Sequence, residues 1–326
     1  MDRADYAILG AGALGSVLGA HLANAGHAVA LLARGARAVQ VERDGITLRG
    51  LSGFTARVPV LRDPSALRAA RVLIVATKTP GTAQALAALR HASFDTAFSI
   101  QNGPGKNELL AEAFGRERVL GALADTSAEL LDGGEVLFTR NVNVYIGELP
   151  AGSSERVQRI TREIDAAGVR CTGSTQVLSL EWSKFCAWTG LAAVAVTTRL
   201  PTWKFLVDPD SALVIVRLVR ETARLAQALG VALTDESVLP VASITAGSED
   251  DAVQRVTALG ERYRSTAPDH RMSILQDLER GRALEVHETL GHGVAKAAAL
   301  GLELPQLDAF YHLVAALNPA RQARGT

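Results

Sequence analysis

Cysteine is nearly absent from this chain of 326 residues. There are two, Cys171 and Cys186, and neither sits in a C-x-x-C pair. Two thiols cannot build a disulfide framework or a four-thiolate zinc site. They fit a reducing compartment. Net charge is absent too: Lys plus Arg and Asp plus Glu each total 34. That argues against a general nucleic-acid binder or a polybasic membrane protein, since both depend on excess positive charge. The longest near-apolar run, residues 185–196, contains Thr189 and falls short of the roughly 20 residues a bilayer span needs. The amino terminus shows no basic segment leading into an apolar core. A cytoplasmic protein with no membrane span is therefore expected. P-loop, serine-hydrolase elbow and zinc-ligand spacings are missing as well. His287 and His292 have no acid–histidine companion pair, so no metal is expected.

What is present is an ordinary globular mix, 48% hydrophobic and 21% charged. The length predicts roughly two domains. In the first half, short apolar runs at 6–9, 28–32, 71–76 and 97–100 alternate with helical stretches. Such runs predict parallel strands buried on both faces. Residues 136–138 and 142–146 read as two later strands, 154–167 as a helix and 169–171 as a last strand. After about residue 174 the pattern turns helical, with candidates at 176–198, 211–229, 249–263, 272–281, 284–300 and 305–317. Gly230, Gly301 and Pro305 serve as stop and start signals. The reading is an α/β Rossmann-type dinucleotide-binding domain over 1–174, followed by an all-α helical domain over 175–326.

Gly10-Ala11-Gly12-Ala13-Leu14-Gly15 is a G-x-G-x-x-G between a strand candidate and a helix candidate. That context gives the motif its meaning. Gly10 permits a tight turn, Gly12 lets a pyrophosphate approach the backbone, and Gly15 lets the helix pack on the strand. The helix N-terminus offers free N–H groups to the phosphates. An NAD site usually places an acid at the end of the second strand. Here Leu32-Ala33-Arg34-Gly35 is followed by Arg37, with no acid before Glu42. A guanidinium suits a 2′-phosphate, so NADP(H) is the expected cofactor. Lys78 follows the next strand and would face the same adenosine end. Asn102 stands in a βα loop, where open α/β sheets bind ligands.

The chain resembles the ketopantoate reductase family, the NADP-dependent 2-dehydropantoate 2-reductases of pantothenate biosynthesis. Gly10 to Gly15, Arg34 and Lys78 match its cofactor positions. Ile100-Gln101-Asn102-Gly103 matches its Q-N-G, and Ser127 matches a cofactor-lining position more weakly. Glu181-Trp182-Ser183-Lys184-Phe185 matches the segment with the catalytic lysine. The stretch from Ser273 to Arg282, followed by Leu284-Glu285, matches the family's S-M-L-Q-D…G-R…E pattern most closely. The resemblance implies a Rossmann domain and a helical domain with the active site in the cleft between them. It also implies a homodimer formed through the helical domain.

It further implies roles. Lys184 would be the general acid that protonates the oxygen left by hydride transfer. Glu285 would be its carboxylate partner and reach the nicotinamide ribose. Asn102 would contact nicotinamide and substrate, and Ser273 would bind a substrate carboxylate. One departure stands out. Family members carry asparagines four and eight residues after the lysine, on one helix face. Here those positions are Trp188 and Ala192, and a third polar position reads Thr202. Losing polar partners costs discrimination heavily. The expected reaction is NADPH-dependent reduction of a small-molecule carbonyl, ketopantoate or another 2-oxo acid or ketone, with Trp188 as an apolar substrate wall. An alternative in another class is a non-catalytic NADP-binding regulator, but such a protein has no need of Lys184 and Glu285.

Overall fold

The apolar runs of the first half form a parallel sheet covered on both faces. The computed structural model describes residues 3–322. Contacts divide them into two units. One is the chain up to Asn102 together with Lys106–Leu178; the other is Gly103–Gly105 and the chain from Ser179 onward.

The first unit opens with β1 (Ala4–Leu9), α1 (Ala13–Asn24), β2 (Val29–Leu32) and α2 (Gly35–Asp44). Three short strands follow: β3 (Ile46–Gly50), β4 (Thr55–Ala56) and β5 (Val60–Leu61). Next come β6 (Ala69–Val75), α3 (Thr82–Ala87), β7 (Ser93–Ser99) and α4 (Gly105–Phe114). β8 (Leu120–Leu130), β9 (Val136–Glu148), α5 (Glu155–Ala166) and β10 (Cys171–Gly173) complete it. The main sheet has the order β5-β2-β1-β6-β7, all parallel. Its strand order reverses between β1 and β6, so a crevice opens at their carboxyl ends, where Gly10 and Ala76 begin their loops. The period of two sorts the side chains. Tyr6, Ile8, Val72, Ile74 and Phe98 join one core with Val17 and Leu18 of α1. Ala7, Leu9, Leu73, Val75 and Ala97 join another with Leu86, Leu110 and Phe114.

A second sheet runs β10-β9-β3-β4, with β8 paired antiparallel to β9. The two strands expected at 136–138 and 142–146 are one, β9. Its partner β8 was not anticipated, because Leu120–Leu130 has few β-branched residues and its strand state rests on cross-strand pairing. The expected strand at 169–171 lies at Cys171–Gly173, parallel to β9.

The second unit comprises α6 (Val177–Thr198), α7 (Thr202–Val207), α8 (Pro209–Ala228) and α9 (Val241–Ala246). Then follow α10 (Glu249–Thr266), α11 (Ser273–Glu279), α12 (Leu290–Ala299), α13 (Pro305–Ala316) and α14 (Pro319–Gln322). From Phe185 to Val196 α6 has one polar side chain, Thr189, and is buried throughout. Cys186, Leu191 and Val194 share a core with Phe205, Val216 and Leu259. The single helix expected over 284–300 is a helix only from Leu290. Side chains satisfy the backbone before it: Leu284 N–H donates to Asn318 Oδ1 at 3.1 Å, and Thr289 Oγ1 donates to the Glu285 carbonyl. Such bonds compete with a helical ladder and hold 284–289 irregular.

A half-buried ionic cluster in the first unit links its stability to pH. Tyr6 OH and Arg71 both donate to the Glu163 carboxylate, Arg71 at 2.7 Å, and the Arg71 guanidinium lies 5.1 Å from the Tyr6 ring centre. Burial works to raise the Glu163 pKa, but the hydrogen bonds from Arg71 and Tyr6 outweigh it and hold the carboxyl below its usual range. A lowered folded pKa gives stability that is present above the unfolded value and lost as pH falls through the folded one. Glu163→Gln should therefore flatten the loss of stability as pH falls through and below the usual carboxylate range. Urea midpoints across that range are the measurement, and equal slopes for parent and variant would rule the cluster out as the cause.

Candidate active site

The glycine loop divides its three glycines between the fold and something else. Gly10 has φ +112°, and a Cβ there would stand 2.8 Å from both Thr77 N and Thr77 Cγ2. At Gly15 a Cβ would fall 2.0 Å from the Gly10 carbonyl oxygen. The fold forbids a side chain at both. Gly12, the N-cap of α1, has φ −70°, and its nearest neighbour would be 3.9 Å away. Nothing inside the protein requires a glycine at 12. Its N–H finds no acceptor among the described residues, and the first bond of α1 runs from Ser16 N–H to the Gly12 carbonyl at 2.9 Å. The N–H groups of Ala13, Leu14 and Gly15 thus also lack intrahelical acceptors. An anion suits this end.

Arg34 is the N-cap of α2, directly past β2. It is exposed and makes no hydrogen bond or ion pair among the described residues. Arg37 does not accompany it. Its donors are spent on Ala11, Ser16, Gln40 and Gly134. Burial also lowers its pKa. Lys78 is exposed in the loop after β6, and its carbonyl accepts from Thr82 Oγ1.

Gln101, the neighbour of Asn102, braces these loops. Its Nε2 donates to Thr77 O, Thr77 Oγ1 and Thr82 Oγ1 at 3.0, 3.1 and 2.8 Å, and its Oε1 accepts from Ser99. Lys106 is buried and donates to the Gln101 carbonyl at 3.1 Å and to the Ala122 carbonyl. These bonds tie the loop from Thr77 to Thr82, the Gln101–Asn102 segment and the start of β8 together. Asn102 itself is half-buried, and its amide makes no hydrogen bond among the described residues. Sequence reasoning missed Lys106, which reads as an ordinary lysine of a helix start. Ser127 lies farther along β8, exposed, between the two irregularities in its pairing. It is not joined to the Gln101 network.

The other candidates belong to the second unit. Lys184 stands about two turns into α6 and is half-buried. Four and eight residues on, Trp188 is 7% exposed and Ala192 0%. Of the three, Lys184 alone presents substantial surface. Thr202 is also closed off: its Oγ1 bonds His270 Nδ1 at 2.9 Å. Ser273 opens α11, exposed, with no hydrogen bond among the described residues. Glu285 is buried at 8% exposure in the irregular segment before α12. Gly103 of the Q-N-G packs against the Glu288 carbonyl and Thr289, so a Cβ there would meet them at 3.2 and 3.3 Å.

Residues 6–151 match the family model of ketopantoate reductase PanE/ApbA, and residues 176–318 match that of its C-terminal part. The chain belongs to the ketopantoate reductase family. It is therefore an oxidoreductase that works with a nicotinamide cofactor on a carbonyl/alcohol pair. It is 28% identical to a 2-dehydropantoate 2-reductase of Archaeoglobus fulgidus over 91% of this chain and 92% of that one. A crystal structure of a PanE/ApbA family ketopantoate reductase from Ralstonia eutropha superposes with a TM-score of 0.82 at 25% identity, covering 98% and 99% of the two chains. D-mandelate dehydrogenase, solved with NADH and anilino(oxo)acetate, shares the fold with a TM-score of 0.81 at 18% identity, covering 97% and 98%. The open N–H of Gly12, the uncommitted Arg34 and the uncommitted Asn102 amide fit a dinucleotide. Among the described residues no group of His, Cys, Asp or Glu is placed to hold a metal ion.

The glycines separate fold from binding. Gly12→Ala should fold with an unchanged melting temperature, since φ −70° suits alanine. It should weaken binding of NADPH about tenfold or more, because the added Cβ would hold the diphosphate away from the N–H groups and cost about one charge-assisted hydrogen bond. Gly15→Ala should unfold at lower temperature. Thermal melts and NADPH fluorescence titration check both, and a Gly12→Ala variant that binds like the parent would remove the loop from the site.

Proposed function

We propose that this chain is an NADPH-dependent reductase of a 2-oxo acid whose side chain is bulkier or less polar than that of ketopantoate. The observation that carries the cofactor choice is the surroundings of Arg34. It is uncommitted at the end of β2, where an NAD enzyme usually offers an acid to the ribose. The first acid beyond it, Glu42, is already engaged by Arg62, whose Nε donates at 2.9 Å. A planar guanidinium fork pairs well with a phosphate.

NADPH, when bound, supplies the hydride that reduces the carbonyl carbon. The chain's own groups do the rest. The Lys184 ammonium donates a hydrogen bond to the carbonyl oxygen and then the proton, so negative charge does not build up on that oxygen. Glu285 sets the lysine's orientation and charge. The Asn102 amide and the Ser273 hydroxyl hold the substrate, Ser273 taking its carboxylate. Trp188 and Ala192 cannot pair polar substituents, and a site without such partners gives up discrimination for a polar substrate. Trp188 instead offers an apolar, flat surface. The reading includes a homodimer formed through the helical half and a cytoplasmic place of action. The buried free thiols Cys171 and Cys186 accord with reducing surroundings.

NADPH oxidation over a panel of 2-oxo acids is the direct test. Lys184→Ala should lower kcat by about 10²–10⁴-fold, the usual worth of a placed general acid. No turnover with any carbonyl, or a Lys184→Ala variant as fast as the parent, would sink the reading. Arg34→Ala should raise KM for NADPH by about ten- to a hundredfold and leave that for NADH unchanged. Equal changes for the two cofactors would remove Arg34 from the 2′-phosphate.

A further inference from the structure

Arg37 stands three residues past Arg34 and works on a different part of the loop. Its Nε donates to the Ala11 carbonyl at 3.0 Å, and its Nη2 donates to Ser16 Oγ at 2.9 Å. Ser16 Oγ donates to the same Ala11 carbonyl at 3.1 Å. These three bonds close a ring around one peptide group. Nη1 donates to the Gly134 carbonyl at 2.7 Å and to the Gln40 side chain. Gly134 has φ +87°, and a Cβ there would stand 2.6 Å from Gln40 Cδ, so the turn between β8 and β9 is pressed onto the arginine's support. Ser16 is fully buried and Arg37 half-buried, which limits competition from water.

The consequence lies in the Ala11–Gly12 peptide. It is trans, so its C=O and N–H point in opposite directions. Holding the Ala11 oxygen toward the guanidinium aims the Gly12 N–H away from it. That N–H is the one left without an acceptor among the described residues.

We propose that Arg37 is a positioning residue for the pyrophosphate of the cofactor. It sets the plane of the Ala11–Gly12 peptide and places a fixed positive charge behind the N-terminus of α1. This rests on the reading of the loop as a dinucleotide site. The two arginines then divide the cofactor: Arg34 meets a phosphate that only NADPH carries, and Arg37 acts on the diphosphate common to NADPH and NADH.

The test uses the full chain and two probes without a nicotinamide, ADP-ribose and 2′-phospho-ADP-ribose. Calorimetry gives their affinities for the parent, Arg37→Lys, Arg37→Gln and Arg34→Ala, with a thermal melt of each. Lysine keeps the charge but not the fork. Arg37→Lys should weaken both probes by a similar factor, about tenfold, and Arg37→Gln by more. Arg34→Ala should weaken the 2′-phospho probe alone. A role in stability alone would lower the melting temperature and leave both affinities as they were; that result overturns the proposal. So does a loss confined to the 2′-phospho probe. Should the Arg37 variants not fold, Ser16→Ala opens the ring with the arginine in place. An equal loss of about threefold for both probes supports the proposal, and no loss overturns it. A folded parent that binds neither probe defeats the dinucleotide reading itself and this proposal with it, which separates the two failures.

Discussion

The contact between the Gly10 carbonyl and the backbone of Gly15 governs the first unit. No residue with a Cβ can make it, since that atom would lie 2.0 Å from the oxygen. The contact brings α1 down against the end of β1 at the point where the strand order reverses. From there the other loops are fixed by what they touch. Thr77 packs on Gly10, Gln101 binds Thr77, and Lys106 binds Gln101. On the other side Arg37 binds Ala11. The helix end that attracts anions is thus held by a set of polar groups that are nearly all occupied, while Gly12, Arg34 and Asn102 are not. Occupied groups make a rigid frame, and unoccupied ones inside such a frame are where a ligand can be met without reorganising the protein.

The fold was largely legible because its signals are local. Apolar runs such as 71–76 and 28–32 can be satisfied only by strands covered on both faces, and α6 only by burial. What could not be read depended on distant partners. β8 is a strand because β9 lies beside it. Residues 284–289 leave the helical path because Asn318, far along the chain, takes the Leu284 backbone groups. Arg37 shows the same limit at the site. Two arginines three apart carry the same charge in sequence, but one faces water and the other has Ala11, Ser16 and Gly134 around it. No spacing rule separates them.

The zero net charge of the chain conceals this fixed arrangement. An anionic cofactor does not require a basic protein. It requires a few positive groups whose desolvation is already covered by hydrogen bonds. Lys106 and Arg37 are of this kind, bound to main-chain carbonyls that screen them little. Arg34 is of the other kind: water surrounds it, so on the proposed reading its worth falls with salt and its contribution is selectivity rather than strength.

In the helical unit the opposite exchange has taken place. The face of α6 that begins with Lys184 continues with Trp188 and Ala192, at the positions for which the resemblance implies amides. An amide at a buried position must find partners or lose a few kcal/mol, roughly 1–3, to desolvation. Alanine at 192, with no exposed surface, carries no such cost and makes no such demand. The change therefore frees the helix from needing a polar substrate to satisfy it. On the proposed reading it leaves the lysine, whose task is set by the carbonyl oxygen and is the same for every 2-oxo acid. On the proposed reading the chemistry is kept and the recognition is altered, because the first depends on a group that touches the reacting atom and the second on groups that touch only what surrounds it.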